Sequence, residues 1–415
     1  MLLLAALTGL VGGVAMATFA GARRTSTSFD RMIEAVDGWD VLVNPDQGTE
    51  TALDLDAVAA LPQVTALSRA AGVPVFLLNP DGTPALDSPT FAVAAMDRTS
   101  LRDHHRPLLR DGRLPDPGRP EELLLGPVVA ADLGVGAGDE VELGFIPLSE
   151  LDESDPPNEL PVEAMTFVVA GVGVDQANIV VDEAFADEAI VLTTAFYDAH
   201  AADAYFLAVL VTLRADAADL PAFRTSVEAL APGEPIEFQT LDRITDTVDR
   251  AVRPQVVALT LFGLVVGITG ALVLAQALTR QLAVDGADAD ALASIGMTRR
   301  QRLAVSVARV LIVAAVGAVL AVAVAIALSG RFPIGPARVA EPSPGLDADG
   351  WSLLVGALLV PVVLVVLLAV PLWRASRFGS SARAARPSAI AGRLASAGAG
   401  RFRWSVCGWP SVPSC

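Results

Sequence analysis

The chain has 415 residues, of which 53% are hydrophobic and 18% charged, and its mean hydropathy is +0.52. A soluble globular chain of this size rarely carries so positive an average, so the surplus is expected in membrane segments. The formal charge of −18 is unevenly spread, with about 41 acids against about 15 arginines between residues 21 and 255, and about seven arginines with no acid after Leu372. All 29 basic residues are arginine, which excludes a Walker A loop ending in Gly-Lys-Ser/Thr and hence a conventional P-loop ATPase in this chain. Cys407 and Cys415 are the two cysteines, so the residues between 21 and 255 must be held by an apolar core rather than by disulfides.

In chain order, residues 1–20 form the first expected transmembrane helix, an uncharged run from Leu2 to Ala20. Its Ala20-Gly21-Ala22 ending is also readable as a cleavage site after a signal peptide. Residues 21–255 are expected to form a large extracytoplasmic domain of α+β class, bounded by stalk helices at 26–37 and 241–254. Phe29, Met32, Ile33 and Val36 recur at i, i+3, i+4 and i+7, and Leu241, Ile244, Val248 and Val252 form a second stripe. Packed together, such stripes would couple movement of membrane helices to the domain above them.

Between the stalks, β-rich runs at Val41–Val43, Val73–Leu78, Phe91–Ala95, Glu140–Phe145, Phe167–Gly171, Ala189–Thr193 and Ala208–Leu213 predict strands. Leu53–Leu61, Gly126–Leu133 and Leu220–Leu230 predict helices, and Ser149–Leu160 an exposed acidic loop. Residues 256–278, 303–328 and 351–373 are the remaining expected spans, the last containing Pro361, which predicts a kink. The segments between them are a cytoplasmic coupling segment (279–302), an external loop (329–350) and a basic disordered tail (374–415).

Orientation follows from arginines in the short loops. Arg280, Arg299, Arg300 and Arg302 precede the third span and Arg374, Arg377, Arg383 and Arg386 end or follow the fourth, whereas 329–350 mixes Arg331 and Arg338 with Glu341, Asp347 and Asp349. The arginine-rich segments are therefore expected in the cytoplasm and the acidic domain outside. Arg23, Arg24 and Arg31 run against this pattern, because they follow the first span on the side assigned as external.

Few residues suggest chemistry. Gly134-Val-Gly-Ala-Gly138 follows a helix and precedes a strand, the reverse of a dinucleotide fingerprint, and predicts a turn. Asp103-His104-His105 is flanked by Arg102 and Arg106 and predicts a solvated loop rather than a metal site. There is no Gly-x-Ser-x-Gly elbow and no His-Glu-x-x-His. No catalytic, cofactor-binding or metal-binding residues are expected, and no nucleic-acid partner.

Between the second and third spans, Gly296 is placed to end a short helix and Thr298 with Gln301 to form a capping box that starts the next. Leu292, Ile295 and Met297 would then present an apolar patch for another protein. The run Leu292-Ala-Ser-Ile-Gly-Met-Thr-Arg-Arg-Gln301 resembles the coupling-helix motif of FtsX-like (MacB-type) ABC transporter permeases. The resemblance extends to Gly21-Ala-Arg-Arg-Thr25, to Gly112-Arg-Leu-Pro-Asp-Pro-Gly-Arg-Pro-Glu-Glu122 with Gly134-Val-Gly-Ala-Gly-Asp139, and to Phe332-Pro-Ile-Gly335 with Ala340-Glu-Pro-Ser-Pro-Gly345.

The resemblance implies a multi-pass permease subunit of a bacterial plasma membrane, with no ATPase of its own. ATP would be bound by a separate ABC-type ATPase subunit, which Leu292, Ile295, Gly296, Met297, Arg299 and Arg300 would meet. Longer relatives carry a second set of spans, so a second copy or a sister permease is implied, besides membrane lipid. Gly398–Cys415 does not resemble the family. Three functions stay open at this point: export or outer-leaflet extraction, mechanical control of an external enzyme, and an anchored hydrolase.

Overall fold

The computed structural model describes residues 2–45, 53–85, 90–148, 161–179, 188–287, 296–346 and 350–377. The expected loop at 149–160, Leu292, Ile295, both cysteines and the expected tail beyond Arg377 lie outside them.

Helix α1 (Leu2–Ser26) is followed across Thr27 by α2 (Ser28–Val36). The helical ladder carries over this joint, because Thr27 N donates to Arg23 O at 3.1 Å and Arg31 N donates to Thr27 O at 3.2 Å. The strands and short helices then run β1 (Val41–Pro45), α3 (Leu55–Ala59), β2 (Val64–Val73), β3 (Val75–Phe76), β4 (Thr90–Ala95), β5 (Leu108–Gly112), β6 (Glu122–Leu125), α4 (Pro127–Leu133), β7 (Glu140–Phe145), β8 (Glu163–Val174), β9 (Glu188–Leu192), α5 (Thr194–His200), β10 (Phe206–Leu213), α6 (Leu220–Leu230) and β11 (Ile236–Thr240). Without an intervening loop β11 becomes α7 (Leu241–Ala287), a 47-residue helix that holds both the expected stalk and the expected span. Last come α8 (Arg299–Ser329), α9 (Pro336–Val339) and α10 (Gly350–Arg377).

The expected strand Val73–Leu78 is corrected to the end of β2 and the short β3, split by Pro74, which has no N–H to give the ladder. Pro254 and Pro361 lie inside α7 and α10, and neither helix is interrupted there. The eleven strands form one sheet, ordered β11-β1-β10-β2-β4-β9-β6-β8-β7-β3, with β5 also paired to β8. The β4/β9 and β6/β8 pairs are parallel and the rest antiparallel.

Several apolar clusters sit on this sheet, two of them away from the stalks. Val41, Val43, Val209 and Val211 pack with Val58 of α3 and with Phe223 and Val227 of α6. Leu123, Leu125, Leu143, Phe145, Phe167, Ile190, Leu192 and Phe196 form the second. Each such side chain contributes roughly 1.5–3 kcal/mol when fully buried, which is how the domain holds together without the cysteines.

The segment from Gly112 to Glu122 is organised by one carboxylate. Glu122 accepts two bonds from Arg113 at 2.7 and 2.8 Å, one from Arg119 at 3.1 Å and one from Asp116 N at 2.9 Å. The Arg113 hydrogen bonds, chiefly, hold its pKa down to about 2 although the side chain is buried. Gly112 stands at φ 69, and a Cβ there would lie 2.4 Å from the Ala170 carbonyl oxygen, so only glycine fits.

Among the described residues four helices, α1, α7, α8 and α10, are long and apolar enough to cross a membrane. Helix α1 packs against the other three, chiefly α8 and α7. Outward faces carry Leu261, Phe262 and Val265 on α7, Ile312 and Val319 on α8, and Leu358 and Val362 on α10. Faces so continuously apolar suit hydrocarbon rather than water.

Candidate functional site

Both stalks enter the sheet at the same edge. Helix α2 leads into β1 after four residues, α7 grows out of β11, and β1 and β11 are hydrogen-bonded neighbours in register Val41↔Thr240 to Pro45↔Ile236. Leu241 N donates to Asp40 O at 2.8 Å, closing the junction. Displacement of either helix along its axis therefore acts on adjacent strands.

Phe29, Met32 and Val36 of α2 and Ile244, Val248 and Val252 of α7 are buried in a single cluster, against which Ile33 and Leu241 are partly buried. Ala337 and Ala340, both fully buried, belong to the same cluster, and α9 touches both stalks. The expected external loop thus supplies part of the stalk core.

The same loop is clamped to α1 and to the sheet by charge. Glu341 is 2% exposed, and its Oε2 accepts from Arg24 Nε at 3.2 Å and from Arg31 Nη2 at 2.6 Å. Arg24, itself buried, also donates to the carbonyls of Ser329 (3.4 Å), Gly345 (3.0 Å) and Ser343 (2.6 Å). From β5, Arg110 donates to the carbonyls of Glu341, at 2.6 Å, and Val339. Burial presses the Arg110 guanidinium down from its ordinary value, against the opposing pull of Glu341. Phe332 covers Gly21, where a Cβ would lie 2.6 Å from its ring. The arginines after the first span that run against the charge pattern thus include two, Arg24 and Arg31, held by Glu341.

A second clamp fixes the top of α2. Arg106 Nη2 donates to Ala35 O at 2.9 Å, Arg106 N to Val36 O at 3.2 Å and His105 N to Asp37 O at 3.0 Å, so 105–106 satisfy carbonyls at the helix end. His104 Nδ1 lies 2.5 Å from Asp37 Oδ2. His105, expected on a solvated loop, is instead buried between Ser68 Oγ of β2 (2.9 Å) and Thr212 Oγ1 of β10 (2.8 Å). Hydroxyls both donate and accept, so a neutral imidazole is satisfied at both nitrogens.

Burial and the neighbouring His104 hold the His105 pKa down to about 4, against the opposing charge of Asp37. The unfolded chain, with a histidine near 6.5, binds the extra proton first, so stability is complete above pH 6.5 and falls as pH drops towards 4. The expected loss is about 3 kcal/mol over that window. Urea melts at pH 4.5 and 7.5 check it: His105→Gln should remove that share of the acid sensitivity, and equal pH slopes in both proteins would contradict it.

Of the six expected coupling residues, Gly296 stands in the left-handed region at φ 88, Met297 is half-buried, and Arg299 and Arg300 open α8. The capping box is formed, with Thr298 Oγ1 accepting from Gln301 N at 3.4 Å and Gln301 Oε1 from Thr298 N at 2.9 Å. Among the described residues no cluster of histidine, cysteine and acids is arranged to hold a metal ion. Sequence reasoning missed Arg24, Arg110 and Glu341. The available signal was Glu341 itself, an acid in the loop on the same side as the arginines after the first span.

No protein-family model matches the chain, and no curated protein sequence does. Solved structures resemble part of it, three of them as follows. The periplasmic region of MacB from Actinobacillus actinomycetemcomitans is 10% identical, covering 52% of this chain and 95% of its own, with a TM-score of 0.32. A permease-protein domain from Porphyromonas gingivalis is 14% identical over 49% of this chain and 90% of its own (TM-score 0.30). The extracellular domain of the noncanonic ABC-type transporter YknZ from Gram-positive bacteria is 11% identical over 49% and 98% (TM-score 0.25). Likenesses at this level leave function to the chain's own residues.

Proposed function

We propose that this chain is the membrane-spanning subunit of an FtsX-like ABC transporter, which uses ATP hydrolysed by a separate subunit to move its external domain and export or extract a substrate. The observation that carries the reading is the continuity of α7. One 47-residue helix runs from the sheet edge through an apolar span to the segment expected to meet the ATPase. A helix of that length is a rod of roughly 70 Å, so axial force at one end reaches the other. The absence of lysine supports an ATPase on a different chain. The expected orientation puts the sheet outside a bacterial plasma membrane and 279–302 in the cytoplasm.

The coupling residues Leu292, Ile295, Gly296, Met297, Arg299 and Arg300 are the proposed ATPase contact. Replacing Leu292 and Ile295 with Asp is expected to abolish stimulation of the partner's ATP hydrolysis at least tenfold while membrane insertion is retained. Unchanged stimulation in reconstituted vesicles would sink the assignment. The same lever serves a second reading, in which the domain controls an external enzyme and moves nothing, and the stalk-to-sheet junction favours it equally. Extrusion assays set against capture of external partners separate the two.

A further inference from the structure

Three of the five Asp-Gly pairs in the chain, at Asp37, Asp81 and Asp111, have described side chains, and their glycine amides are bonded differently. Gly38 N donates to Ile33 O and Gly82 N to Asn79 O, each at 2.9 Å. Gly112 N donates instead to Asp111 Oδ1, also at 2.9 Å, on the carboxylate of the preceding residue. We propose that Asp111 is a self-modification site, at which the Gly112 amide closes on the Asp111 carboxyl and converts the residue to isoaspartate while Asp37 and Asp81 persist.

The step is a loss of water followed by a gain of water. Gly112 N forms a bond to Asp111 Cγ, the Cγ–OH bond breaks, and the hydroxyl leaves with the amide proton. Water then reopens the five-membered ring, giving aspartate when it attacks Cγ and isoaspartate when it attacks the main-chain carbonyl. Asp111 and Gly112 are both exposed, so water reaches the ring, and glycine has no side chain to obstruct its closure. The register of β5 against β8 shifts between Leu109 and Asp111, which takes this stretch of main chain off the regular ladder.

The other two carboxylates are held elsewhere. Asp81 Oδ1 accepts from Thr83 Oγ1 at 2.6 Å and from Thr83 N at 3.1 Å, and these bonds, the hydroxyl's first, hold the carboxyl below its usual range. An ionised carboxylate has no hydroxyl to release. Asp37 Oδ2 lies 2.5 Å from His104 Nδ1. Conversion at position 111 would lengthen the main chain by one carbon between two fixed neighbours, since Arg110 donates to the carbonyls of Val339 and Glu341 and Gly112 lies against the Ala170 carbonyl. It would therefore strain β5 away from β8 and loosen Arg110 from the loop that carries α9.

The full chain in detergent is incubated for weeks at pH 5 and at pH 8, digested, and read by electron-transfer mass spectrometry, which separates isoaspartate from aspartate. Isoaspartate is expected at position 111 at least tenfold above positions 37 and 81, and several-fold faster at pH 5, where more of the carboxyl is protonated and can lose water. In concentrated urea the three positions should convert alike. Equal conversion at all three in the folded chain, or the same preference for position 111 in urea, overturns the proposal. Thr83→Ala should raise conversion at Asp81 several-fold, and no rise would overturn the protection given to that hydroxyl. During incubation the melting temperature should fall in the unmodified chain and hold in Asp111→Glu, whose longer side chain would have to close a six-membered ring. An equal fall in both overturns the link to the Arg110 clamp, and because conversion is read on the unmodified chain, a poorly folded Asp111→Glu leaves the first comparison decisive.

Discussion

Glu341→Ala is expected to lower the stability of the detergent-solubilised chain by about 3–5 kcal/mol, the usual consequence of removing one partner from a buried ion pair. The size follows from what is left behind. The Arg24 side chain is only 8% exposed, and without Glu341 its Nε has lost its acceptor while the cation stays between α1 and the loop. Arg31, at 35% exposure, can turn to water and adds less. Glu341→Gln keeps an acceptor for Arg24 Nε but removes the charge, and should fall between the two. Thermal melts of the three proteins check the order, and a Glu341→Ala melt equal to that of the unmodified chain would contradict it. In cells, the same change should weaken the proposed coupling, because α9 is held against the stalks, and Phe332 against α1, partly through this residue.

Periodicity carried most of the membrane part. Long apolar runs mark α1, α7, α8 and α10, the third broken only by Arg309, and the capping box at Thr298 was legible because two residues at fixed spacing suffice to form it. The stalk stripes were legible for the same reason, since a face of Phe29, Met32 and Val36 has one way to bury itself. The share of α9 in that cluster was not, because Ala337 and Ala340 have small side chains and no pattern, and contacts some 300 residues apart in the chain leave no local trace.

Strand β2 was missed because Val64–Val73 mixes alanine, serine and arginine, and its strand conformation comes from pairing with β10 and β4 rather than from propensity. Strand β5 contains Asp111-Gly112, which reads as a turn and is in fact next to a bulge opposite β8. His105 was misplaced because charge around it suggested solvent, whereas Ser68 and Thr212, distant in sequence, bury it.

A close approach in the membrane bundle lies where α1 crosses α8, and Gly13→Leu is expected to disrupt it by about 3 kcal/mol or more. A Cβ at Gly13 would stand 2.5 Å from Val324 Cβ and 2.8 Å from the Ala321 carbonyl oxygen; at Gly9 it would stand 2.4 Å from Leu320 Cβ. Side-chain rotation cannot relieve a clash with a backbone oxygen, so α8 must move away as a body. Overpacking that a core absorbs costs about 1–3 kcal/mol, and a shift of a whole helix sits at or above that range.

Gly267 on α7 is the matched control, since a Cβ there meets nothing within 4 Å. Gly267→Leu should be neutral or slightly stabilising, because leucine is the better helix former by roughly 0.8 kcal/mol. If both substitutions lower the melting temperature equally, the loss at Gly13 does not come from the close approach of α1 and α8. Ser329, which ends α8, accepts from Arg24, and Phe332 just beyond covers Gly21, so moving α8 also pulls on the Glu341 clamp. Gly13→Leu and Glu341→Ala should therefore cost less together than the sum of each alone, whereas strict additivity would mean that helix crossing and clamp are independent.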